Sequence, residues 1–117
     1  MSEYFGKELI DDLVIIVMNN TSATTQHADE FSKISEDDIA NKVKKVVVDL
    51  SQCKFIDSIF LGTLIYASKQ MKEASGQIRI VEPARLPREL FSIPLTLNLL
   101  EFYKSREEAI KSFDSDS

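Results

Sequence analysis

Two neighbouring residues, Asp57 and Ser58, combine a carboxylate with a hydroxyl that could accept a phosphate. They stand directly before the longest amphipathic segment of the chain. Asp and Ser are favoured at helix N-termini because their side-chain oxygens accept hydrogen bonds from unpaired backbone N–H groups. A phosphate is also well accommodated at a helix N-terminus. The local sequence therefore predicts a helix cap at this pair, and for Ser58 capping is compatible with phosphorylation.

The other reactive side chains do not form a catalytic or metal-binding set. His27 is the single histidine, and without a second histidine or a cysteine beside it we expect a surface or capping role. Cys53 is the single cysteine, which we expect to be buried and inert. Ser58 has no triad partner beyond the isolated His27, and the sequence has no glycine-rich phosphate loop. We predict no enzymatic activity, no metal site and no cofactor.

Asp49 offers a rival chemistry, because it ends an apolar segment as the phosphoacceptor of a receiver domain would. Receivers also need an acidic pair after the first strand to hold Mg²⁺. Here residues 13–18 are followed by Asn-Asn-Thr. This difference argues against a receiver domain.

Composition and charge limit the classes of partner. The 117 residues, 44% hydrophobic and 28% charged, predict one domain over 1–117, with a core at about 10–112 and a frayed acidic tail at 113–117. The net charge of −5 argues against nucleic acid. The longest apolar run, 13–18, is too short to span a membrane, and no basic secretory signal begins the chain, so we expect a cytoplasmic protein.

Basic residues gather in two places, which we expect to be solvated flanks of buried strands because acidic residues are interspersed among them. The two groups are Lys42, Lys44, Lys45 and Arg79, Arg85, Arg88.

Apolar runs and alternating segments predict the strands. Residues 13–18 form a buried strand, which 3–10 can pair with as an edge strand through a turn at Asp11-Asp12. Residues 46–50 indicate a central strand. Two further strands are predicted at 77–81 and 97–103.

Helical periodicity and capping residues predict the helices. Ala28, Phe31 and Ile34 form one buried stripe, and a cap-like Ser35 leaves open one broken helix or two. The clearest helix is 59–75, with Gly76 as its C-terminal cap. Its predicted buried stripe is Phe60, Leu61, Leu64, Ser68 and Met71, with Ile65 and Ala67 at the margins. A short helix containing Leu90 and Phe91, and a terminal helix behind a Ser105/Glu108 capping box, complete the set.

Strands that alternate with helices after a hairpin predict an α/β fold: a mixed sheet of four or five strands covered by about four helices. The segment Val46-Val-Val-Asp-Leu-Ser-x-Cys-x-Phe-Ile-Asp-Ser-x-x-Leu-Gly62 resembles the STAS family, which includes anti-sigma-factor antagonists and the cytoplasmic tails of sulfate transporters. With Leu90-Phe91, the apolar stretch 95–102 and Ser105 to Ala109, the resemblance covers roughly 10–112. It implies a STAS-like fold.

The resemblance to the antagonists also implies a function. In that family the serine after the aspartate, here Ser58, is phosphorylated by a serine kinase that is itself the anti-sigma factor. The unphosphorylated protein binds this partner, and a serine phosphatase restores binding. On the predicted helix Ile59, Thr63, Tyr66 and Gln70 lie away from the buried stripe and start beside Ser58. The predicted partner surface is therefore Asp57, Ser58, Ile59, Thr63 and Tyr66.

A second function within the same family is a non-switching STAS adaptor or scaffold in a multiprotein signalling complex. Ile59 and Phe60 stand where the antagonists favour Ser or Thr and then Gly. Phe60 could fill the core, or it could narrow the access of a kinase to Ser58.

Overall fold

A computed structural model of the chain describes residues 3–84 and 100–114, and its centre is a mixed sheet. Five strands form this sheet: β1 (Phe5–Ile10), β2 (Leu13–Met18), β4 (Lys45–Asp49), β6 (Gln77–Val81) and β7 (Phe102–Tyr103). Two short strands, β3 (Ser22–Ala23) and β5 (Phe55–Ile56), pair separately. The helices in the described ranges are α1 (Thr25–Ala40), α2 (Ser58–Glu73) and α3 (Arg106–Ser112).

The strand order is β1-β2-β4-β6-β7, with β1 antiparallel to β2 and the other neighbours parallel. The predicted edge hairpin and central strand are thus confirmed. The hairpin turns at Asp11, whose φ of 54° is one that Asp tolerates better than most residues. The predicted mixed sheet is confirmed with five strands. Leu90 and Phe91, expected in a fourth helix, lie outside the described residues.

Helices on both faces of the sheet explain the continuous apolar run of β2. Alternate strand residues point to opposite faces. Val14, Ile16 and Val48 belong to the core with Phe31 of α1 and residues of α2, whereas Ile15 and Val47 belong to the core beside α3.

The first helix is unbroken from Thr25 to Ala40, which settles the alternatives left open by the sequence. Its N-cap is Thr24, whose hydroxyl accepts a hydrogen bond from the Gln26 backbone. The cap predicted at Ser35 is wrong, because Ser35 lies buried within the helix. Phe31 lies on the buried face of α1 and packs in the core, with its ring centre 5.5 Å from that of Phe60.

The predicted C-cap at Gly76 is also wrong. The cap residue of α2 is Ala74, and Ser75 adopts the left-handed conformation with a φ of 67°. Gly76 serves a different purpose: a Cβ there would lie 2.7 Å from Met71 Sδ and 2.9 Å from the Lys44 carbonyl oxygen. The glycine is therefore required by close packing and not by backbone conformation.

Arg79 corrects the expectation that the basic residues are solvated strand flanks. It is buried on β6, where Nε donates to Glu101 Oε2 at 2.9 Å and the guanidinium lies 4.2 Å from the centre of the Phe113 ring. These two contacts compensate the burial of its charge. Arg85 and Arg88 lie outside the described residues.

The carboxyl-terminal predictions are confirmed in part. The last strand is shorter than predicted, because Leu100 and Glu101 precede β7 and residues 97–99 lie outside the described part of the chain. The terminal helix α3 has its predicted cap, since Ser105 Oγ accepts from the Glu108 N–H at 3.1 Å. In a capping box the Glu108 carboxylate would also accept from the Ser105 N–H. Here it accepts from the N–H of Lys104, one residue earlier.

Candidate functional site

The candidate site lies where the two long helices begin side by side. Parallel pairing of β3 with β5 sets Ala23 opposite Ile56, and a helix starts shortly after each strand. The Asp57 N–H donates to the Ala23 carbonyl at 3.0 Å, which extends this pairing to the entrance of α2. Two helix N-termini therefore meet at one place, each with backbone N–H groups that need acceptors.

Asp57 serves both helices. Its Oδ1 accepts from the Phe60 N–H at 2.8 Å, which caps α2. Its Oδ2 accepts from the backbone N–H of Thr25 at 2.8 Å and from the Thr25 hydroxyl at 3.1 Å, which adds a contact to the first turn of α1. Of the two predicted capping residues, Asp57 is thus the cap and Ser58 is the first residue of α2.

The same hydrogen bonds determine the charge of Asp57. Desolvation raises the pKa of this carboxyl, but the hydrogen bonds from Phe60, Thr25 and Ile59 together outweigh it, so the pKa lies below its ordinary value. Asp57 is therefore ionised at neutral pH, immediately before Ser58.

Ser58 is exposed at the start of α2. Its hydroxyl has no hydrogen-bond partner among residues 3–84 and 100–114, in contrast to the fully engaged carboxylate of Asp57. The Ser58 oxygen is therefore accessible to another protein without loss of an internal contact.

The outward side of α2 carries exposed apolar surface beside Ser58. Ile59 is 54% exposed and Tyr66 60% exposed. The Thr63 hydroxyl donates to the Ile59 carbonyl at 2.9 Å, and Gln70 Nε2 donates to the Tyr66 hydroxyl at 3.2 Å. The opposite side holds the predicted stripe, since Phe60, Leu61, Leu64, Ala67, Ser68 and Met71 are all buried.

Phe55 was not identified from the sequence. It is 52% exposed on β5, next to the buried Ile56 and two residues before Asp57. A strand alternates its side chains between faces, so the burial of Ile56 turns Phe55 outward. The alternation of a two-residue strand is too short a signal to detect in a sequence.

Asp49 has a structural role. Its Oδ2 accepts from Arg106 Nη2 at 2.9 Å and Nε at 3.1 Å, and its Oδ1 accepts from the Ser51 N–H at 2.9 Å. Burial raises the pKa of Asp49, but these hydrogen bonds from Ser51 and Arg106 outweigh it and the pKa lies below its ordinary value. A carboxylate held this way is unsuited to accept a phosphoryl group.

His27 and Cys53 are both buried. The predicted capping role of His27 is confirmed, because Nδ1 accepts from the Thr24 N–H at 3.1 Å, while a surface position is wrong. The predicted burial of Cys53 is confirmed. Desolvation, with a contribution from the charge of Asp49, raises the pKa of its thiol to about 11, so the thiol is protonated and unreactive at neutral pH.

Within residues 3–84 and 100–114, no three His, Cys, Asp or Glu side chains come together as metal ligands. In the same ranges, no helix combines the length and apolarity needed to cross a membrane.

The STAS domain family model matches residues 7–109, and the chain belongs to this family. A putative anti-sigma factor antagonist of Thermotoga neapolitana, the TM1081 homolog, is 27% identical over 108 residues, which are 92% of this chain and 95% of that protein. The putative anti-sigma factor antagonist BtrV of Bordetella bronchiseptica is 26% identical over 97 residues, 83% and 79% of the two chains.

Solved structures share the fold. The crystal structure of the putative antagonist TM1081 from Thermotoga maritima has a TM-score of 0.78 at 22% identity, over 94% of both chains. The unphosphorylated form of the anti-sigma factor antagonist SpoIIAA has a TM-score of 0.70 at 15% identity, over 96% of both. The STAS-like fold predicted from the motif around Ser58 is confirmed.

Proposed function

We propose that this chain is a cytoplasmic regulatory domain of the anti-sigma-factor-antagonist type, which binds a serine kinase of the anti-sigma type and is switched by phosphorylation of Ser58. The observation that carries the proposal is the exposed hydroxyl of Ser58 at the start of α2, which has no hydrogen-bond partner within the described residues and directly follows an ionised Asp57. Relatives named as putative anti-sigma factor antagonists, similar over most of the chain, support it.

The proposed partner surface consists of Asp57, Ser58, Ile59, Thr63 and Tyr66. Phe55 extends it, because it precedes Asp57 and is half exposed. Large aromatic side chains at the centre of an interface commonly carry much of the binding energy. The exposed rings and the exposed Ile59 provide an apolar contact area beside the hydroxyl that a kinase would modify.

Phosphorylation would change this surface more than it changes the fold. A phosphoserine adds about −1.5 to −2 charges at neutral pH, next to the ionised Asp57. A helix N-terminus accommodates such a charge, so the domain stays folded. A partner that covers Ser58 would have to bury the phosphate without a counter-charge, at a cost of roughly 3 to 5 kcal/mol by analogy with broken buried ion pairs. That is roughly two to three and a half decades in affinity.

A non-switching adaptor is the second candidate. Phe60 no longer favours it, because its ring is fully buried against Phe31 and does not cover Ser58. Ile59 does favour it: this half-exposed branched side chain stands directly after the serine, where a kinase would need access.

The experiment that tests the proposal is capture of partners from the native cell with the wild-type chain and with Ser58→Asp, followed by mass spectrometry of both bait and captured proteins. We expect the wild type to retain a kinase-type partner that Ser58→Asp loses, and we expect phosphate on Ser58. The control is Ser75→Asp, which adds the same charge just beyond the other end of α2.

Equal capture by wild type and Ser58→Asp, with no phosphate on Ser58, would support the adaptor and contradict the switch. A phosphatase that removes phosphate from Ser58 and restores capture would complete the proposed cycle.

A further inference from the structure

We propose that a groove between the carboxyl-terminal ends of α1 and α2 receives an arginine side chain of the protein partner, as a second contact beyond the surface around Ser58. The inference rests on the proposed function, because it concerns the same partner and names the chemistry of one of its residues. The groove has a volume of about 320 Å³. The residues that line it are Glu36 and Ile39 of α1 with Gln70, Glu73 and Ala74 at the end of α2.

The groove continues the proposed partner surface along the outward side of α2. Gln70 lines the groove and donates through Nε2 to the hydroxyl of the exposed Tyr66 at 3.2 Å. A rise of about 1.5 Å per residue places Glu73 about 22 Å from Ser58 along the helix axis. A standard interface covers about 800 Å² of each partner, which corresponds to a patch roughly 30 Å across. One partner can therefore cover Ser58 and the groove together.

The two carboxylates of the groove have no counter-charge within the described part of the chain. Neither Glu36 nor Glu73 makes a hydrogen bond or an ion pair in residues 3–84 and 100–114. Lys33 and Lys69 precede them by three and four positions, a spacing at which helical side chains can pair, but neither pair forms. Both glutamates are exposed, so their oxygens are accessible to a partner.

The helix ends add to the negative charge of the groove. The C-terminus of a helix carries about half a negative elementary charge. The last turn of α1 has no basic residue. At the end of α2, Lys72 lies in the last turn and Lys44 Nζ donates to the Ala74 carbonyl, which compensates the dipole of that helix but leaves Glu73 unpaired. Two carboxylates and the end of α1 therefore favour a further positive charge in the groove.

Arginine matches this groove better than a metal ion or lysine does. Its planar guanidinium has five N–H donors and can engage two carboxylates at once, whereas lysine presents one compact ammonium. Its aliphatic stem can pack on apolar surface, which the half-buried Ile39 and Ala74 provide. Two carboxylates are too few oxygen ligands for Ca²⁺, and the described residues hold no group of three metal-ligating side chains.

Titration with N-acetyl-arginine amide, followed by NMR, tests the chemistry of the groove without the partner. The backbone amide signals of Glu36, Ile39, Gln70 and Glu73 should shift saturably. The citrulline analogue has nearly the same shape without the charge and should leave these signals in place. The double variant Glu36→Gln/Glu73→Gln should lose the response. Asp37→Asn is the matched control, because it removes a neighbouring exposed carboxylate that does not line the groove, and it should keep the response.

Titration calorimetry with the captured partner tests whether the complex uses the groove. Glu36→Gln and Glu73→Gln should each weaken binding about two- to fivefold, as expected for an exposed ion pair, while Asp37→Asn should bind like the wild type. The losses should shrink as the salt concentration rises, because salt screens exposed charges. They should add to the loss from Ser58→Asp, since sites more than about 10 Å apart with no shared contacts usually contribute independently.

The inference is overturned if the arginine compound produces no localised shifts, if the citrulline analogue produces the same shifts, or if the double variant retains either the shifts or full affinity for the partner. Such a failure would leave the proposed switch intact, because the switch depends on Ser58→Asp. Normal binding by Ser58→Asp, with weakened binding by the double variant, would instead remove the switch and retain the groove. If no partner is captured, the proposed function fails and the arginine titration still decides the inference.

Discussion

The carboxylate of Asp57 binds Thr25 across 32 positions of sequence, through two hydrogen bonds of 2.8 and 3.1 Å, while its other oxygen caps α2. One side chain therefore joins the beginnings of α1 and α2. It also holds a fixed negative charge next to Ser58. The residue that shapes the candidate site is thus the neighbour of the serine, and not the serine itself.

Removal of this link should cost stability at both helices. Asp57→Ala loses a helix cap, typically worth about 1 kcal/mol, and the acceptor for Thr25, worth about 1 kcal/mol more. We expect a total of about 1–3 kcal/mol in the free energy of unfolding, measured by denaturant titration. Thr25→Val removes only the hydroxyl donor and should cost about 0.5–1.5 kcal/mol.

The double variant separates the link from the two single contributions. Because the Thr25 hydroxyl loses its acceptor in Asp57→Ala, Thr25→Val should cost less in that background. Equal costs in the two backgrounds would show that the contact contributes nothing.

The contribution of Asp49 to the free energy of unfolding should decrease at acidic pH. Its pKa is below the unfolded value of about 3.9, so its stabilising contribution is complete above that pH and is lost as the pH falls through the folded-state pKa. Asp49→Asn should therefore cost about 1.5–3 kcal/mol at neutral pH, the range for hydrogen bonds to charged groups. The difference from wild type should narrow below about pH 4.

Asp38 serves as a control, because its contribution to stability should change with pH in the opposite direction to that of Asp49. Desolvation raises its pKa in spite of the hydrogen bond and charge of Lys7, so the native state holds this proton more tightly than the unfolded state. Relative to Asp38→Asn, the wild type should gain stability as the pH falls through the raised pKa. If both substitutions changed stability in the same direction as the pH falls, one of the two assignments would be contradicted.

Two glycines of the chain should respond in opposite ways to alanine. Gly62 lies within α2, and a Cβ there would have no neighbour within 4 Å, so Gly62→Ala should stabilise by about 0.5–1 kcal/mol. Gly76→Ala would force a Cβ against Met71 and the Lys44 carbonyl, and should destabilise by about 1–3 kcal/mol. Thermal unfolding of both variants measures the contrast, and a destabilised Gly62→Ala would refute the packing account.

Local patterns predicted the elements that depend on local physics. The apolar run was sufficient to predict β2, because a strand buried on both faces has consecutive apolar residues. The helical period was sufficient to predict α2, because a helix buried on one side has apolar residues three or four positions apart. The position of Ser58 at the start of α2 followed from the same pattern. In these segments the sequence and the structure agree.

Contacts between distant residues account for what the sequence analysis missed. Asp57 and Ser58 are both good caps, and the choice between them involves Thr25, 32 positions away. Arg79 is buried because Glu101 and Phe113 reach it from the far end of the chain. Gly76 follows a helix as a C-cap would, but the neighbouring Lys44 carbonyl explains it. The spacing of residues along the sequence does not predict such long-range contacts.

Tyr66 tests the extent of the partner surface. Tyr66→Ala should leave the free energy of unfolding within about 0.5 kcal/mol, as for other exposed positions, while it weakens partner binding by about 1–2 kcal/mol or more. Leu9→Ala is the matched control, because it truncates another exposed large apolar side chain, at the other end of the sheet. Similar binding by the two variants would place the interface elsewhere.

Titration calorimetry of the captured partner against the wild type, Ser58→Asp, Ser58→Ala and Ser75→Asp tests the proposed switch most directly. Ser58→Asp should stay folded and lose affinity by one to several kcal/mol, about fivefold or more, because it places a charge within the interface beside Asp57. Ser58→Ala and Ser75→Asp should bind like the wild type, and Ser58→Ala should also resist loss of binding on kinase treatment. Unchanged affinity of Ser58→Asp would contradict the switch.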